Sequence, residues 1–153
     1  MIQAIPKPVT FEEFIEWIPE DGRYELIDGK IVEMQPTGNH EEVAEFSSRR
    51  LILETERLQK PYRFPNRALI KAPSWETGYL PDVLVLLRDA LATEPLWEKA
   101  ATITQGTSVV LVVEVVSTNW ENDYARKLED YEEMGIPEYW IVDYLGLGGK
   151  RFI

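Results

Sequence analysis

The sequence contains no cysteine and only one histidine among its 153 residues. The absence of cysteine excludes disulfides and zinc–thiolate sites and leaves the redox compartment open, so a cytoplasmic location is only the default expectation. No apolar run approaches the ~18 residues that a membrane span needs. The first ten residues, MIQAIPKPVT, lack the basic start and long apolar run of a signal peptide. We therefore expect no membrane association.

Positive charge is also scarce, because 16 Lys and Arg face 27 Asp and Glu, for a net charge of −11. Such a charge opposes nonspecific attraction to nucleic acid, whose affinity comes largely from neutralising phosphates. One segment departs from this balance, and its only acids are Glu54 and Glu56. Its basic residues are Arg49, Arg50, Arg57, Lys60, Arg63, Arg67 and Lys71. The segment is either a solvated helix face with a following loop or a local basic strip that holds a phosphate backbone.

Capping and turn signals divide the chain into helices and strands. The sequence contains no internal repeat and no linker. Thr10 to Glu13 matches a capping box that begins a short helix, and Asp28-Gly29 predicts a β-hairpin. The other predicted elements are a helix from Glu41 to about Leu58, strands at Tyr62–Lys71, "PDVLVLL" and Val109–Val116, a short helix at Ala90–Ala101, a helix over "ENDYARKLEDYEEMG" and a strand at "EYWIVDY".

This order of elements predicts one domain over residues 1–153, of the α/β or α+β class. The strands at Val109–Val116 and around Ile141 are apolar on both faces, which is typical of a mixed, partly parallel sheet covered by helices. The final letters, GGKRFI, are typical of the start of another strand. We therefore expect the sequence to be truncated at its C-terminus.

One acidic residue, Glu114, interrupts the most apolar strand. Side chains alternate along a strand, so Glu114 is predicted to share one face with Val110, Val112 and Val116. An ionised carboxylate is costly to bury unless it is paired or bound to a cation. Asp82 begins the other apolar strand, "DVLVLL". Two carboxylates on neighbouring strands can converge on one divalent ion, and such oxygen ligands suit magnesium or manganese.

Lys127 supplies a cation in the helix that follows Glu114. At about 100° per residue, Tyr124, Leu128 and Tyr131 are predicted to form the inward stripe of this helix, with Lys127 at its edge. From there the lysine can reach back to hold a phosphate or to position an attacking water. Each acid and the lysine also has an ordinary explanation, as an ion-pair partner, a turn residue or a packed lysine stem.

Two further residues are candidates for the same site. Glu25, in "YELIDG", lies on the predicted hairpin and either adds a metal or water contact or pairs with Arg23 or a nearby helix. His40 precedes the long helix and is either a residue of the helix start or a contact of the site.

The pattern resembles the PD-(D/E)XK restriction-endonuclease-like superfamily, with "PD" at Pro81-Asp82 and the second acid at Glu114. The blocks "YELIDGKIVEM", "PDVLVL", "VVEVVS" and "YARKLEDYEEMGIPEYWIVD" also resemble the Uma2 family, in the family's order from Thr10 to Asp143. The resemblance implies a core of helix, three strands, helix and strand, preceded here by a helix and hairpin. The motif's lysine would lie at position 116, which is valine, and Lys127 matches the position of the lysine in the Uma2 group.

The resemblance implies a magnesium- or manganese-dependent endonuclease that hydrolyses phosphodiester bonds of DNA and acts as a homodimer. In this hypothesis Asp82 and Glu114 bind the metal, Lys127 stabilises charge or orients water, and Glu25 assists. The basic residues Arg49, Arg50, Arg57, Lys60, Arg63 and Arg67 then contact DNA. Two alternatives stay open: a non-catalytic protein-binding or assembly module with a buried ion network, and an enzyme acting on RNA or another phosphoester.

Overall fold

The computed structural model describes residues 7–117 and 120–146, and only the backbone of residues 120–123. The strand predicted at GGKRFI lies outside these residues. The helices are α1 Phe11–Trp17, α2 Gly38–Arg57, α3 Trp97–Ala100 and α4 Trp120–Glu133. The strands are β1 Arg23–Ile27, β2 Lys30–Met34, β3 Tyr62–Arg63, β4 Leu69–Lys71, β5 Gly78–Tyr79, β6 Val83–Leu87, β7 Thr102–Ile103, β8 Val109–Val115 and β9 Tyr139–Val142. Within the described residues, no helix is long and apolar enough to cross a membrane.

The strands form two mixed sheets, which confirms the predicted mixed α+β class. The five-stranded sheet has the order β2-β1-β5-β4-β7, and the four-stranded sheet has the order β3-β6-β8-β9. Each contains one parallel pair, β4–β7 and β8–β9. The strand expected at Tyr62–Lys71 divides around Pro65, which cannot donate to a strand ladder, so β3 joins one sheet and β4 the other.

Three short elements differ from the predicted ones. A 3-10 helix at Arg88–Thr93 and the short α3 replace the helix expected at Ala90–Ala101. Strand β5 lies where a loop was expected, and β7 was not expected at all. Strands of two residues are too short to carry a hydrophobic period, so sequence patterns do not reveal them.

The N-terminal helix and hairpin follow their sequence signals. The Thr10 side chain accepts from the Glu13 backbone N–H, and the Glu13 side chain accepts from that of Thr10, which confirms the capping box. Asp28 and Gly29 have φ of 50° and 75°, as a tight hairpin turn requires. This turn fixes the register of β1 against β2, with Glu25 opposite Val32.

Strand β8 lies between β6 and β9 and carries core residues on both faces. Val112 packs in the cluster that contains Tyr131 of α4, whereas Leu111 and Val113 pack in the cluster next to α2. Val110 belongs to the α2 side, so the prediction that it shares a face with Glu114 was wrong. The cause is an irregularity in the β6–β8 register at Val85 and Leu86, which shifts the alternation of side chains.

Helix α4 covers the opposite face with a polar and aromatic stripe. Tyr124, Lys127, Asp130 and Tyr131 are buried, whereas Leu128 is 50% exposed. The expected inward position of Leu128 was therefore wrong. Spacings of three and four residues relate Tyr124, Lys127 and Tyr131, so the lysine lies within the buried stripe rather than at its edge.

Gly106 allows the end of α4 to approach the start of β8. A Cβ at this position would lie 2.0 Å from the carbonyl oxygen of Met134, a backbone atom that cannot move aside without shifting the helix. We expect Gly106→Ala to lower the free energy of unfolding by about 1–3 kcal/mol, the usual cost of overpacking. Urea unfolding followed by circular dichroism measures this. Gly38→Ala is the matched control, because a Cβ at Gly38 meets nothing within 4 Å. If Gly106→Ala and Gly38→Ala had the same free energy of unfolding, the prediction would be contradicted.

Candidate active site

Glu114 lies in β8 and points toward α4. It is 2% exposed, and its Oε1 accepts from the Tyr131 hydroxyl at 3.2 Å and from Lys127 Nζ at 3.3 Å. Burial raises the pKa of Glu114 to about 8; the Lys127 ammonium opposes this rise, and the negative charges of Asp82 and Glu25 add to it. The Glu114 carboxyl is therefore costly to ionise, and a cation close to it has a large effect on its pKa.

Lys127 bridges two carboxylates from different elements. Its Nζ lies 3.3 Å from Oε1 of Glu25 and 3.3 Å from Oε1 of Glu114, and 5.3 Å from the centre of the Tyr79 ring. The second oxygen of Glu25 accepts from the Leu80 backbone N–H at 2.7 Å. The lysine thus joins β1, β8 and α4 in one buried charge network.

A bidentate ion pair next to this network fixes α4 against the hairpin turn. Both terminal nitrogens of Arg126 donate to the Asp28 carboxylate at 2.6 Å. This pairing raises the pKa of Arg126 and lowers that of Asp28. Because Arg126 directly precedes Lys127, the pair limits the position that the lysine can adopt.

Asp82 directly precedes β6 and faces the same region. Val83 pairs with Val113, so continuing this antiparallel register by one residue places Asp82 opposite Glu114. Its Oδ2 accepts from the Val115 backbone N–H at 2.7 Å and lies 3.4 Å from His40 Nε2. The hydrogen bond to Asp82 is the main reason that the pKa of His40 is raised.

One cleft is lined by the four acidic and basic residues that the sequence identified, Glu25, Asp82, Glu114 and Lys127. The remaining lining residues come from β1, β2 and the segment after it, the start of α2, the end of β8 and α4: Arg23, Val32, Glu33, Met34, Gln35, Pro36, His40, Val115, Ser117 and Tyr124. The cleft therefore gives a ligand access to carboxylates that are otherwise buried.

Arg23 and Tyr124 are cleft residues that the sequence analysis did not identify. Arg23 donates to the Pro81 carbonyl at 3.2 Å, and its terminal nitrogen lies 3.8 Å from Asp82 Oδ1. The two-residue spacing from Arg23 to Glu25 on a strand was the available signal, since such residues share a face. Tyr124 donates to the Val115 carbonyl at 3.1 Å, a contact that helical periodicity alone does not reveal.

The basic segment does not line the cleft in the described part of the chain. Arg49 pairs with Glu45 at 3.0 Å and Arg57 with Glu54 at 2.5 Å, whereas Arg67 donates to the backbone carbonyls of Pro19 and Glu20 after α1. Of the other members, Arg50, Lys60 and Arg63 are exposed, and Lys71 lies 3.7 Å from Glu12. Three of the seven basic residues are therefore paired with acids, and a role of this segment in binding DNA stays a prediction.

The donor set of the cleft can be compared with the needs of a divalent cation. Among the described residues, no three His, Asp or Glu side chains form a complete metal site on their own. Within the same residues, Asp82 Oδ1 and Glu114 Oε2 accept no hydrogen bond, although the other oxygen of each does. Magnesium is commonly held by one or two carboxylates, with waters and substrate oxygens completing its shell. Asp82 and Glu114 fit that pattern.

The mixed α+β fold is consistent with the restriction-endonuclease-like fold, and a solved structure shares it. The chain is similar to a protein of Anabaena variabilis described as "a putative nuclease belonging to DUF820", with a TM-score of 0.65 and 20% sequence identity. The similarity covers 89% of this chain and 74% of that chain. At this identity the likeness shows the fold alone.

The chain belongs to the Uma2 family, described as "Putative restriction endonuclease", which it matches over residues 11–146. This match confirms the family that the sequence blocks indicated. None of the curated proteins matches the chain.

Proposed function

We propose that the chain is an endonuclease that hydrolyses phosphodiester bonds of DNA with the help of Mg²⁺ or Mn²⁺. The observation that supports it most is the meeting of Asp82, Glu114, Glu25 and Lys127 in one cleft, with Lys127 Nζ 3.3 Å from two carboxylates. Membership of a family described as restriction endonucleases supports the same reaction. The fold alone would not, since unrelated activities share folds.

Each residue of the cleft has a defined role in this proposal. A divalent cation, when bound, polarises a phosphoryl oxygen and lowers the pKa of a water molecule. Asp82 and Glu114 hold the cation. Lys127 stabilises the negative charge that develops on the phosphate, or orients the attacking water. Glu25 holds the lysine in place, and Val116, at the motif's usual lysine position, is buried and apolar.

Contact with DNA has to overcome the net charge of −11. The proposed contacts are the basic residues Arg49, Arg50, Arg57, Lys60, Arg63 and Arg67, of which Arg67 is half-buried and the others are exposed. Because two of them are paired with acids, we expect weak binding that falls steeply with salt. A homodimer would place two clefts on the two strands of one duplex, and this assembly is part of the proposal.

One observation favours a second candidate, a non-catalytic binding module that retains the fold. Lys127 already neutralises part of the charge on Glu25 and Glu114, and such a buried ion network can exist without a metal. In this case the cleft residues have a structural role only.

Metal removal separates the two candidates. We expect protein treated with EDTA to leave supercoiled plasmid intact, and added Mg²⁺ or Mn²⁺ to restore nicking, because Asp82 and Glu114 need a cation to act on a phosphate. Agarose gels measure the conversion of supercoiled to open circular DNA. A matched RNA substrate, assayed in parallel, tests the preference for DNA.

The control is the Glu114→Gln variant, purified and assayed under the same conditions. If the parent nicks the plasmid and this variant does not, a contaminating nuclease is excluded as the cause of nicking. Equal nicking by this variant and the parent, or nicking that persists in EDTA, would contradict the proposal. If neither protein cuts and calorimetry detects no heat with Mg²⁺ or Mn²⁺, the binding module is the better description.

A further inference from the structure

We propose that His40 is a positioning residue of this site, which fixes the Asp82 carboxylate through its Nε2 atom. The proposal rests on the endonuclease function proposed above and extends it to a residue on α2. Asp82 is the residue that His40 would position, because Asp82 Oδ2 lies 3.4 Å from the imidazole Nε2.

The position of the imidazole ring determines what it can do. His40 is buried, and its Nε2 lies 3.2 Å from the Val115 carbonyl oxygen and 3.4 Å from Asp82 Oδ2. Both neighbours are acceptors, so Nε2 carries the hydrogen and donates. The ring thereby connects the start of α2 to the end of β8 and to the residue that begins β6.

Formation of the helix does not explain the burial of this side chain. The helix start depends on the His40 backbone N–H, which donates to the Thr37 hydroxyl oxygen at 3.2 Å, and any residue at position 40 would keep this bond. His40 is nevertheless the fully buried side chain of α2, while the other residues of this helix are half-buried or exposed. Burying a polar ring is costly unless it makes specific hydrogen bonds.

The contacts of Asp82 show what the ring contributes. Oδ2 accepts from the Val115 backbone N–H at 2.7 Å and faces His40 Nε2, whereas Oδ1 has, among the described residues, the more distant Arg23 at 3.8 Å. The Val115 backbone N–H donates to Oδ2, and His40 Nε2, whose hydrogen also faces the Val115 carbonyl, lies against the same oxygen, so we expect the pair of contacts to limit rotation of the carboxylate. The other oxygen then keeps a constant orientation toward the cleft. With a single donor the carboxylate gains rotational freedom, and the arrangement with Glu114 is lost for part of the time.

Two amide variants separate the Nε2 contact from the presence of a polar side chain. In His40→Gln the amide nitrogen lies four bonds from Cα, as Nε2 does, so it can still donate to Asp82. In His40→Asn the amide nitrogen takes the place of Nδ1, beside Glu41, and it cannot reach Asp82. We expect His40→Gln to stay within about 5-fold of the parent in kcat, and His40→Asn to lose about 10- to 100-fold in kcat and in Mn²⁺ affinity, the usual loss for residues that orient metal ligands.

The design includes a control and a measurement that does not depend on activity. Glu41→Gln changes the group 3.4 Å from the other ring nitrogen and should leave kcat and Mn²⁺ affinity unchanged. Crystal structures of the Gln and Asn variants should show Asp82 retained in its orientation only in the former. Equal kcat for the two variants, or an unmoved Asp82 in His40→Asn, would overturn the proposal. If the parent neither cuts nor binds Mn²⁺, the proposed function fails, and the two crystal structures still decide the role of His40.

Discussion

Replacing Lys127 with alanine is expected to lower the free energy of unfolding by about 3–5 kcal/mol, the usual cost of removing one partner from a buried ion network. The lysine is 4% exposed and lies 3.3 Å from oxygens of both Glu25 and Glu114. Without it, Glu25 and Glu114 lose the cation that lies between them while they stay buried, where a carboxyl is costly to ionise. The same variant should lose DNA cleavage, because it lacks the ammonium that the proposal assigns to the developing charge on the phosphate. Urea unfolding at neutral pH measures the change in stability.

Neutral substitutions distinguish the loss of charge balance from the loss of packing. The triple variant Glu25→Gln, Glu114→Gln, Lys127→Met keeps similar side-chain volumes and removes every charge of the network, so it should recover most of the lost stability but no cleavage. Lys99→Ala, at an exposed position on α3, is the matched control and should change stability by less than about 0.5 kcal/mol. A loss below about 0.5 kcal/mol for Lys127→Ala, within the range of ordinary surface changes, would show that the network contributes little to the fold.

Replacing either metal-binding candidate with its amide is expected to reduce plasmid cleavage by about 10³-fold or more, since several kcal/mol of charge stabilisation are lost. Asp82→Asn keeps an oxygen that can accept from the Val115 backbone N–H, and Glu114→Gln keeps one for Tyr131 and Lys127. Both variants should therefore fold. Calorimetry should show that both bind Mn²⁺ far more weakly than the parent.

Asp89→Asn provides the matched control for the amide substitution, because the Asp89 side chain is 81% exposed. It should cleave plasmid at the rate of the parent. Folding of each variant is checked by circular dichroism, so that a loss of activity is not mistaken for a loss of structure. Retention of full activity by Asp82→Asn would mean that the site is elsewhere.

Local sequence signals predicted three elements of the fold, of which the hairpin and the apolar strand line the cleft. The capping box at Thr10, the Asp28-Gly29 turn and the apolar strand around Glu114 depend on nearby residues, and the structure contains all three. The cost of burying a lone carboxylate indicated that Glu114 needed a partner, and Lys127 lies 3.3 Å from it. The energetic cost of burying Glu114 therefore predicted its contact with Lys127 correctly, whereas the helical period of α4 placed Leu128 on the wrong side.

Features that depend on distant pairing could not be predicted in this way. The break around Pro65 sends two short strands into different sheets, and the irregularity near Val85 moves Val110 to the other face. Leu128 is exposed because α4 covers polar groups, so hydrophobicity alone misplaced it. The contact of His40 with Asp82 joins residues far apart in sequence, and it follows from tertiary packing rather than from local preference.

The most direct measurement is anomalous diffraction from a crystal of the parent protein soaked with Mn²⁺. The proposed function predicts a manganese peak in the cleft, bonded to carboxylate oxygens of both Asp82 and Glu114, and no such peak in a crystal of Glu114→Gln soaked in the same way. A cleft without manganese in the parent crystal, or a peak bonded to neither carboxylate, would contradict it.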